Sequence, residues 1–148
     1  MSLPGVSGPA VRTHLRIDRR LCGQPLEVAE GSAVVALEAL PEMAVDERGL
    51  VHGGFVFGLA DHAAMLAVNH PCVVLGSAEV RFLKPVTVGE RLEARAAVEE
   101  TDGRKSRVRV EVRRSRPGET AAAVMAGIFV CFTLEHHVLD VRDGGGRR

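Results

Sequence analysis

Residues 51–69 read VHGGFVFGLADHAAMLAVN, a His-Gly-Gly opening followed by an almost unbroken apolar run. Only Asp61 and His62 interrupt it, among Phe57, Leu59, Ala60, Ala63, Met65 and Leu66. A helix at the protein surface carries an apolar stripe, whereas one that is apolar nearly all round is buried. At about 16 residues the run is short for a bilayer span. The spacing therefore predicts a buried helix over 54–69, stopped by Asn69, His70 and Pro71. An unpartnered carboxylate costs several kcal/mol to bury. Asp61 in such a wall thus points to chemistry rather than packing, and the rest of the chain must wrap around this helix.

The glycines at the mouth of the helix matter equally. Gly53 and Gly54 let the backbone approach closely and leave the first helical N–H groups uncovered. Gly49, three residues before His52, can supply a positive φ in the preceding loop, 42–51.

Elsewhere the periodicity is two. Segments 24–30 and 33–40 flank a Glu30-Gly31-Ser32 turn signal and read as a β-hairpin ended by Pro41. Segment 72–83 alternates weakly. Segment 90–100 sets Leu92, Ala94, Ala96 and Val98 against Arg91, Glu93, Arg95 and Glu99; segment 105–114 repeats this with Val108, Val110 and Val112. Asp102-Gly103 is a hairpin turn, Pro117-Gly118 another, and 120–134 is a long apolar strand in which Gly127 is expected to mark a bulge or bend. Segment 11–20 fits either a strand or irregular structure. The result is an α+β layout: a hairpin, one long helix, then four antiparallel strands forming a sheet curled around the helix with one charged face. Residues 1–10 are expected to form a flexible arm, 11–142 a single domain and 143–148 a flexible tail.

The 148 residues balance 19 basic against 19 acidic side chains, which removes the electrostatic case for nucleic acid or an anionic membrane. There is no Trp or Tyr to stack bases. Cys22, Cys72 and Cys131 lie far apart without a CxxC pair, against both a disulfide framework and a zinc site. His136, His137 and Asp140 are read as a solvated end, and His62 and His70 sit two turns apart, so no metal is expected. Gly103-Arg104-Lys105-Ser106 lacks the upstream glycine of a phosphate loop, and there is no GxSxG elbow. Neither a signal peptide nor an 18-residue apolar run is present, so a cytoplasmic location is the default expectation.

Gly49, His52, Gly53, Gly54, Phe57, Leu59, Ala60, Asp61, Ala63 and Ala67 together form GxxHGGxxFxLADxAxxxA. This resembles the signature of the PaaI-like hotdog-fold acyl-CoA thioesterases, and RFLKPVTVGERLEARAAV resembles the strands that follow it in that family. The likeness covers 33–134. It implies a hotdog fold, no cofactor, and hydrolysis of an acyl-CoA to free acid and CoA. It further implies Asp61 as nucleophile or general base, the Gly53 N–H as oxyanion donor and His52 as a polar wall of that site. One departure stands out. Six residues before the histidine these enzymes often carry Asn or Gln, and here the position is Asp46. An acid there can accept a hydrogen bond but cannot donate an amide N–H, and it adds negative charge if it converges on Asp61.

Thioester hydrolysis needs an anion holder, which bare amides at a helix N-terminus supply, and a base, which a desolvated Asp61 supplies. Asp61 lies eight residues beyond Gly53, about 12 Å along a helix axis, whereas reacting atoms must come within ~3–3.5 Å. Two antiparallel helices across a two-fold axis satisfy both, so a homodimer is expected, and the family implies that it is often doubled into a dimer of dimers. Gly54 with Asp46, and Arg81 with Lys84 for the CoA phosphates, complete the expected substrate contacts; Arg104, Lys105 and Arg107 are further cation candidates. The competing function is a non-catalytic acyl-CoA sensor of the same superfamily. A hotdog hydratase or dehydratase ranks third, because its HFPG-like or NPxH-like motif is missing.

Overall fold

A computed structural model describes residues 5–140. The expected tail at 143–148 and the first four residues of the expected arm lie outside the described residues. The elements run α1 (Arg19–Cys22), β1 (Gln24–Ala29), β2 (Ser32–Glu38), α2 (Gly53–Val68), β3 (Val73–Phe82), β4 (Arg91–Asp102), β5 (Lys105–Ser115) and β6 (Ala122–Thr133). A single 3-10 turn, Pro41–Met43, precedes α2. The six strands form one antiparallel sheet in the order β1-β2-β4-β5-β6-β3. One long helix held by a curled antiparallel sheet is the hotdog architecture.

Period two sets the faces. Val35 and Leu37 of β2, Leu92, Ala94 and Ala96 of β4, and Val108, Val110 and Val112 of β5 are all buried against α2. From the helix side come Leu59, Ala60, Ala63, Ala64, Met65, Leu66 and Ala67, each 1% exposed or less. The four alanines let the helix lie close to the sheet, while each fully buried Leu or Met contributes about 1.5–3 kcal/mol. Asn69 ends the helix in the left-handed conformation (φ 51°) and donates its N–H to the Met65 carbonyl. Its side chain also pins the incoming chain, accepting from Arg12 N–H and donating to the Ala10 carbonyl. The outer sheet face is charged, as its alternation implies. Its ion pairs, such as Arg109–Glu99 at 2.6 Å, are solvent-exposed and worth about 0–1 kcal/mol each.

Three local features differ from the sequence reading. Segment 11–20 contains neither a strand nor wholly irregular chain, because Asp18 caps α1, its Oδ1 accepting from the N–H groups of Arg20 and Leu21. Gly127 is not a bulge: it pairs in regular register with Val80 and Val110. A Cβ there would stand 2.5 Å from the Glu79 carbonyl oxygen and 2.6 Å from Val80 Cγ1, so close strand approach is what requires glycine. The irregularities lie elsewhere: between Leu75 and Ser77 of β3, and at Val124 of β6, where Val112 and Arg113 of β5 pair with Met125 and Ala123. Residues 5–10 lie along β1, with Ser7 N–H donating to the Leu26 carbonyl and Val28 N–H to the Ser7 carbonyl. Among the described residues no helix is long and apolar enough to cross a membrane.

Candidate active site

The chain reaches α2 through a tight loop built by Asp46. The Asp46 Oδ1 accepts from Arg48 N–H (3.0 Å) and Leu50 N–H (3.2 Å), and its carbonyl accepts from Gly49 N–H, where φ is +78°. Val45 N–H donates to the Leu50 carbonyl and His52 N–H to the Met43 carbonyl, so the strand-like stubs at 44–45 and 50–51 close the loop. Asp46 is exposed and its carboxylate serves this loop.

His52 is the N-cap of α2, with extended backbone (φ −62°, ψ 130°) and no side-chain cap. A Ser, Thr, Asp or Asn there would occupy the first donors; histidine leaves them open. Phe55 N–H is taken by the His52 carbonyl, but the N–H groups of Gly53 and Gly54 meet no protein acceptor among the described residues. Aligned backbone amides at a helix N-terminus attract negative charge. The lack of side chains is used: a Cβ on Gly54 would stand 3.0 Å from His52 Nε2, so the imidazole lies over that residue, and it meets Phe55 edge-on at 6.2 Å. A Cβ on Gly53 would stand 3.3 Å from the ring of Phe82. Beside Gly53 opens a largely apolar cleft of about 300 Å³, walled by Val51, Val56, Phe82, Pro85, Val86 and Val124, with Lys84 on its wall.

Asp61 sits two turns further on, half-buried. Its Oδ1 is buried and has no hydrogen-bond partner among the described residues. Burial raises its pKa from 3.8 to about 6. Its negative charge is felt by Cys131, fully buried on β6, whose thiol is pushed up to about 12 by burial first and Asp61 second. One turn before Asp61, Phe57 packs on Phe129 with ring centroids 5.3 Å apart. Gly53 and Asp61 therefore lie on one rigid helix, about 12 Å apart along its axis, and do not meet within a single chain.

The remaining expected residues separate. Lys84 lines the cleft. Arg81 does not: it borders a shallow hollow on the outer sheet face with Glu79, Arg109 and Glu111. Arg104 is ion-paired with Glu135, and Lys105 and Arg107 are exposed. His62, next to Asp61 in sequence, points elsewhere: it is 1% exposed, its Nδ1 is 3.1 Å from the Cys22 carbonyl oxygen, and it stacks on His14 at 6.3 Å. Desolvation pushes its pKa down to about 4. The sequence reading missed Phe82 as a wall of the Gly53 site, because a terminal strand aromatic carries no local sign of facing a helix mouth 29 residues earlier in the chain.

Free amides at a helix mouth, a desolvated acid on the same helix and a sheet wrapped around both define a hotdog protein equipped for acyl-transfer chemistry. Comparison with known proteins agrees: residues 48–121 match the thioesterase superfamily. The chain belongs to that superfamily, as one of its PaaI-like hotdog members. An uncharacterized protein from Pyrococcus horikoshii is 56% identical and superposes with a TM-score of 0.79 over 88% of this chain and 96% of that one. An Asn-to-Asp mutant of the phenylacetic acid degradation protein PaaI from Thermus thermophilus is 35% identical, with a TM-score of 0.67 over 77% of this chain and 95% of that one. A methylthioribose-1-phosphate isomerase of Aquifex aeolicus is 54% identical over 101 residues, 68% of this chain but only 22% of the relative's length. That likeness concerns one part of a much longer protein.

Proposed function

We propose that this chain is an acyl-CoA thioesterase that works as a homodimer, with each site built from Asp61 of one subunit and the Gly53 N–H of the other. The observation that carries the reading is the buried, unpartnered Asp61 Oδ1 on the same helix whose N-terminal amides are also unpartnered. Each half-site lacks what the other supplies. An antiparallel two-fold pairing is also supported by β3, an edge strand whose middle residues 76–79 are exposed. At its end the exposed apolar side chains of Phe82, Leu83, Leu50 and Val45 leave a surface that a second copy can cover.

In the water-attack route the Asp61 carboxylate takes a proton from water as its oxygen adds to the thioester carbonyl. The resulting oxyanion accepts from Gly53 N–H of the partner subunit. Collapse breaks the C–S bond, and the departing CoA thiolate recovers the proton from Asp61. In the covalent route the carboxylate adds directly to the carbonyl and the C–S bond breaks to release CoA thiolate. Water then hydrolyses the mixed anhydride to the free acid, returning the Asp61 carboxylate and a proton that the thiolate takes up. Lys84 on the cleft wall suits a CoA phosphate. Location in the cytoplasm and assembly into a dimer of dimers belong to the same reading.

The test is release of free thiol from a panel of short, medium and aryl acyl-CoAs by wild type and Asp61→Ala. Turnover by wild type with a loss of at least ~10²-fold in the variant supports the reading. Undiminished turnover in the variant removes Asp61 from the mechanism. Tight acyl-CoA binding with no thiol release by either protein identifies a sensor instead.

A further inference from the structure

Glu90 is a buried carboxylate outside the site described above, 6% exposed and the last residue before β4. Its Oε1 accepts from Thr87 N–H at 2.8 Å, and its Oε2 accepts from Arg116 Nε, reaching in from the β5–β6 connection. A carboxylate that only capped its own turn would need the Thr87 amide alone and could remain solvated. Here it is removed from water and matched to a guanidinium 26 residues away, the arrangement that makes a buried charge tolerable. A second tether lands nearby from the end of β5, Arg114 donating to the Pro85 carbonyl.

Both tethers grip the 83–90 connection between β3 and β4. That connection walls the cleft through Leu83, Lys84, Pro85 and Val86. It also holds the chain entering α2. The Val86 carbonyl accepts from Val51 N–H at 2.8 Å, Val88 N–H donates to the Gly49 carbonyl at 2.9 Å, and Leu50 bridges Thr87. Val51 is two residues before Gly53, whose amide has no cap or side chain of its own to fix it.

We propose that Glu90, paired with Arg116, is a positioning residue that sets the direction of the Gly53 and Gly54 amides through the 83–90 connection. The catalytic consequence rests on the thioesterase reading; the positional one does not. Oxyanion donors act in the transition state, and misplacement by about 1 Å from a remote change can cost ~10²-fold in rate.

The experiment uses full-length Glu90→Gln, which can still accept from Thr87 N–H but loses the ion pair. Arg116→Lys serves as a second variant should the first not fold. Two readouts are taken: kcat and KM on the best acyl-CoA of the panel, and the backbone amide NMR resonances of Gly53 and Gly54, with Ala63 and Ala64 as mid-helix controls. The expected result is a roughly 10–100-fold fall in kcat with KM changed by less than about twofold, together with displaced Gly53 and Gly54 resonances and unmoved controls. A lower melting temperature with kcat and those resonances unchanged overturns the proposal and leaves Glu90 a turn cap. Displaced resonances with unchanged kcat support the positional role and overturn its catalytic consequence. Wild type that releases no thiol, with resonances still displaced in the variant, sinks the thioesterase reading and leaves the positioning role standing.

Discussion

Asp61→Asn tests the central claim through stability as well as rate. The substitution keeps the side-chain shape and removes the ionisation. With the folded pKa raised from 3.8 to about 6, the folded state resists ionisation that the unfolded chain accepts. Wild-type stability from this group is therefore fully present below pH ~3.8 and is lost as pH rises to about 6. The gap corresponds to about 3 kcal/mol of destabilisation at pH 8, and about 0.5 kcal/mol at pH 4. His62 acts in the opposite sense: its folded pKa near 4 means the unfolded chain takes up its proton first as pH falls below 6.5. The two effects oppose each other across one window, so wild type alone shows a muted pH dependence, while the difference between variant and wild type cancels His62. Asn still places polar atoms in the same apolar wall, so the diagnostic quantity is how that difference changes with pH. Urea denaturation at fixed protein concentration, from pH 4 to 8, should show the variant gaining about 2.5 kcal/mol relative to wild type. Thiol release should meanwhile fall by ~10²–10⁴-fold. Parallel stability curves for the two proteins would refute the reasoning, because Asp61 would then ionise as freely folded as unfolded.

Further outcomes follow from the same geometry. In wild type kcat/KM should rise with pH as a single ionisation near pH 6, since the working form of Asp61 is the carboxylate; a flat profile from pH 5 to 7 speaks against it as the base. Gly53→Pro should keep the fold, because Pro suits the first helical position and His52 already has the extended backbone that Pro demands before it, yet it deletes the donor; a ~10²–10³-fold fall in kcat with a retained helical circular dichroism spectrum is expected. Mixing two inactive variants, Asp61→Ala and Gly53→Pro, with subunit exchange should restore about a quarter of wild-type activity, because each mixed dimer regains one complete site. Absence of any recovery despite demonstrated exchange would place both groups in one subunit's site.

The helix and its two chemical groups were legible because their signals are local. An all-round apolar run, a glycine pair at its start and a carboxylate with nothing beside it can be read within 19 residues. Strand order and edge were partly legible from hairpin turns. What stayed hidden depends on contacts distant in sequence. Gly127 inside an apolar strand reads as a bulge or bend, whereas the 2.5 Å clearance to the Glu79 carbonyl oxygen shows a close strand approach, a contact no local pattern reveals. Arg81 and Lys84 are three residues apart, but Arg81 is still in β3, where alternation turns it to the outer face, whereas Lys84 is past the strand's end and free to line the cleft. Glu90 shares the parity of Leu92 and Ala94, but nothing local shows its partner, because its arginine lies one hairpin away. Asp46 matched a family position, but its carboxylate is spent on the N–H groups of Arg48 and Leu50.

The same helix is both the core of the domain and the carrier of the two groups proposed to do its chemistry, which accounts for where the unfavourable group sits. α2 packs through Leu59, Ala60, Ala63, Met65, Leu66 and Ala67, all at 1% exposure or less, and two or three such large side chains offset the roughly 3 kcal/mol that a charged Asp61 costs. The charge of Asp61 reaches Cys131 on β6, next to the strand β3 that has a free edge, and also Cys22 at the end of α1. A helix is stiff, so the distance from Gly53 to Asp61 is fixed by the eight residues between them, and no rotamer brings them to one carbonyl. Within a monomer the desolvated acid is a cost without a use. In the proposed dimer, paired across the β3 edge, the same rigidity would hold each acid against the other subunit's amides, so that folding, assembly and catalysis would draw on one element.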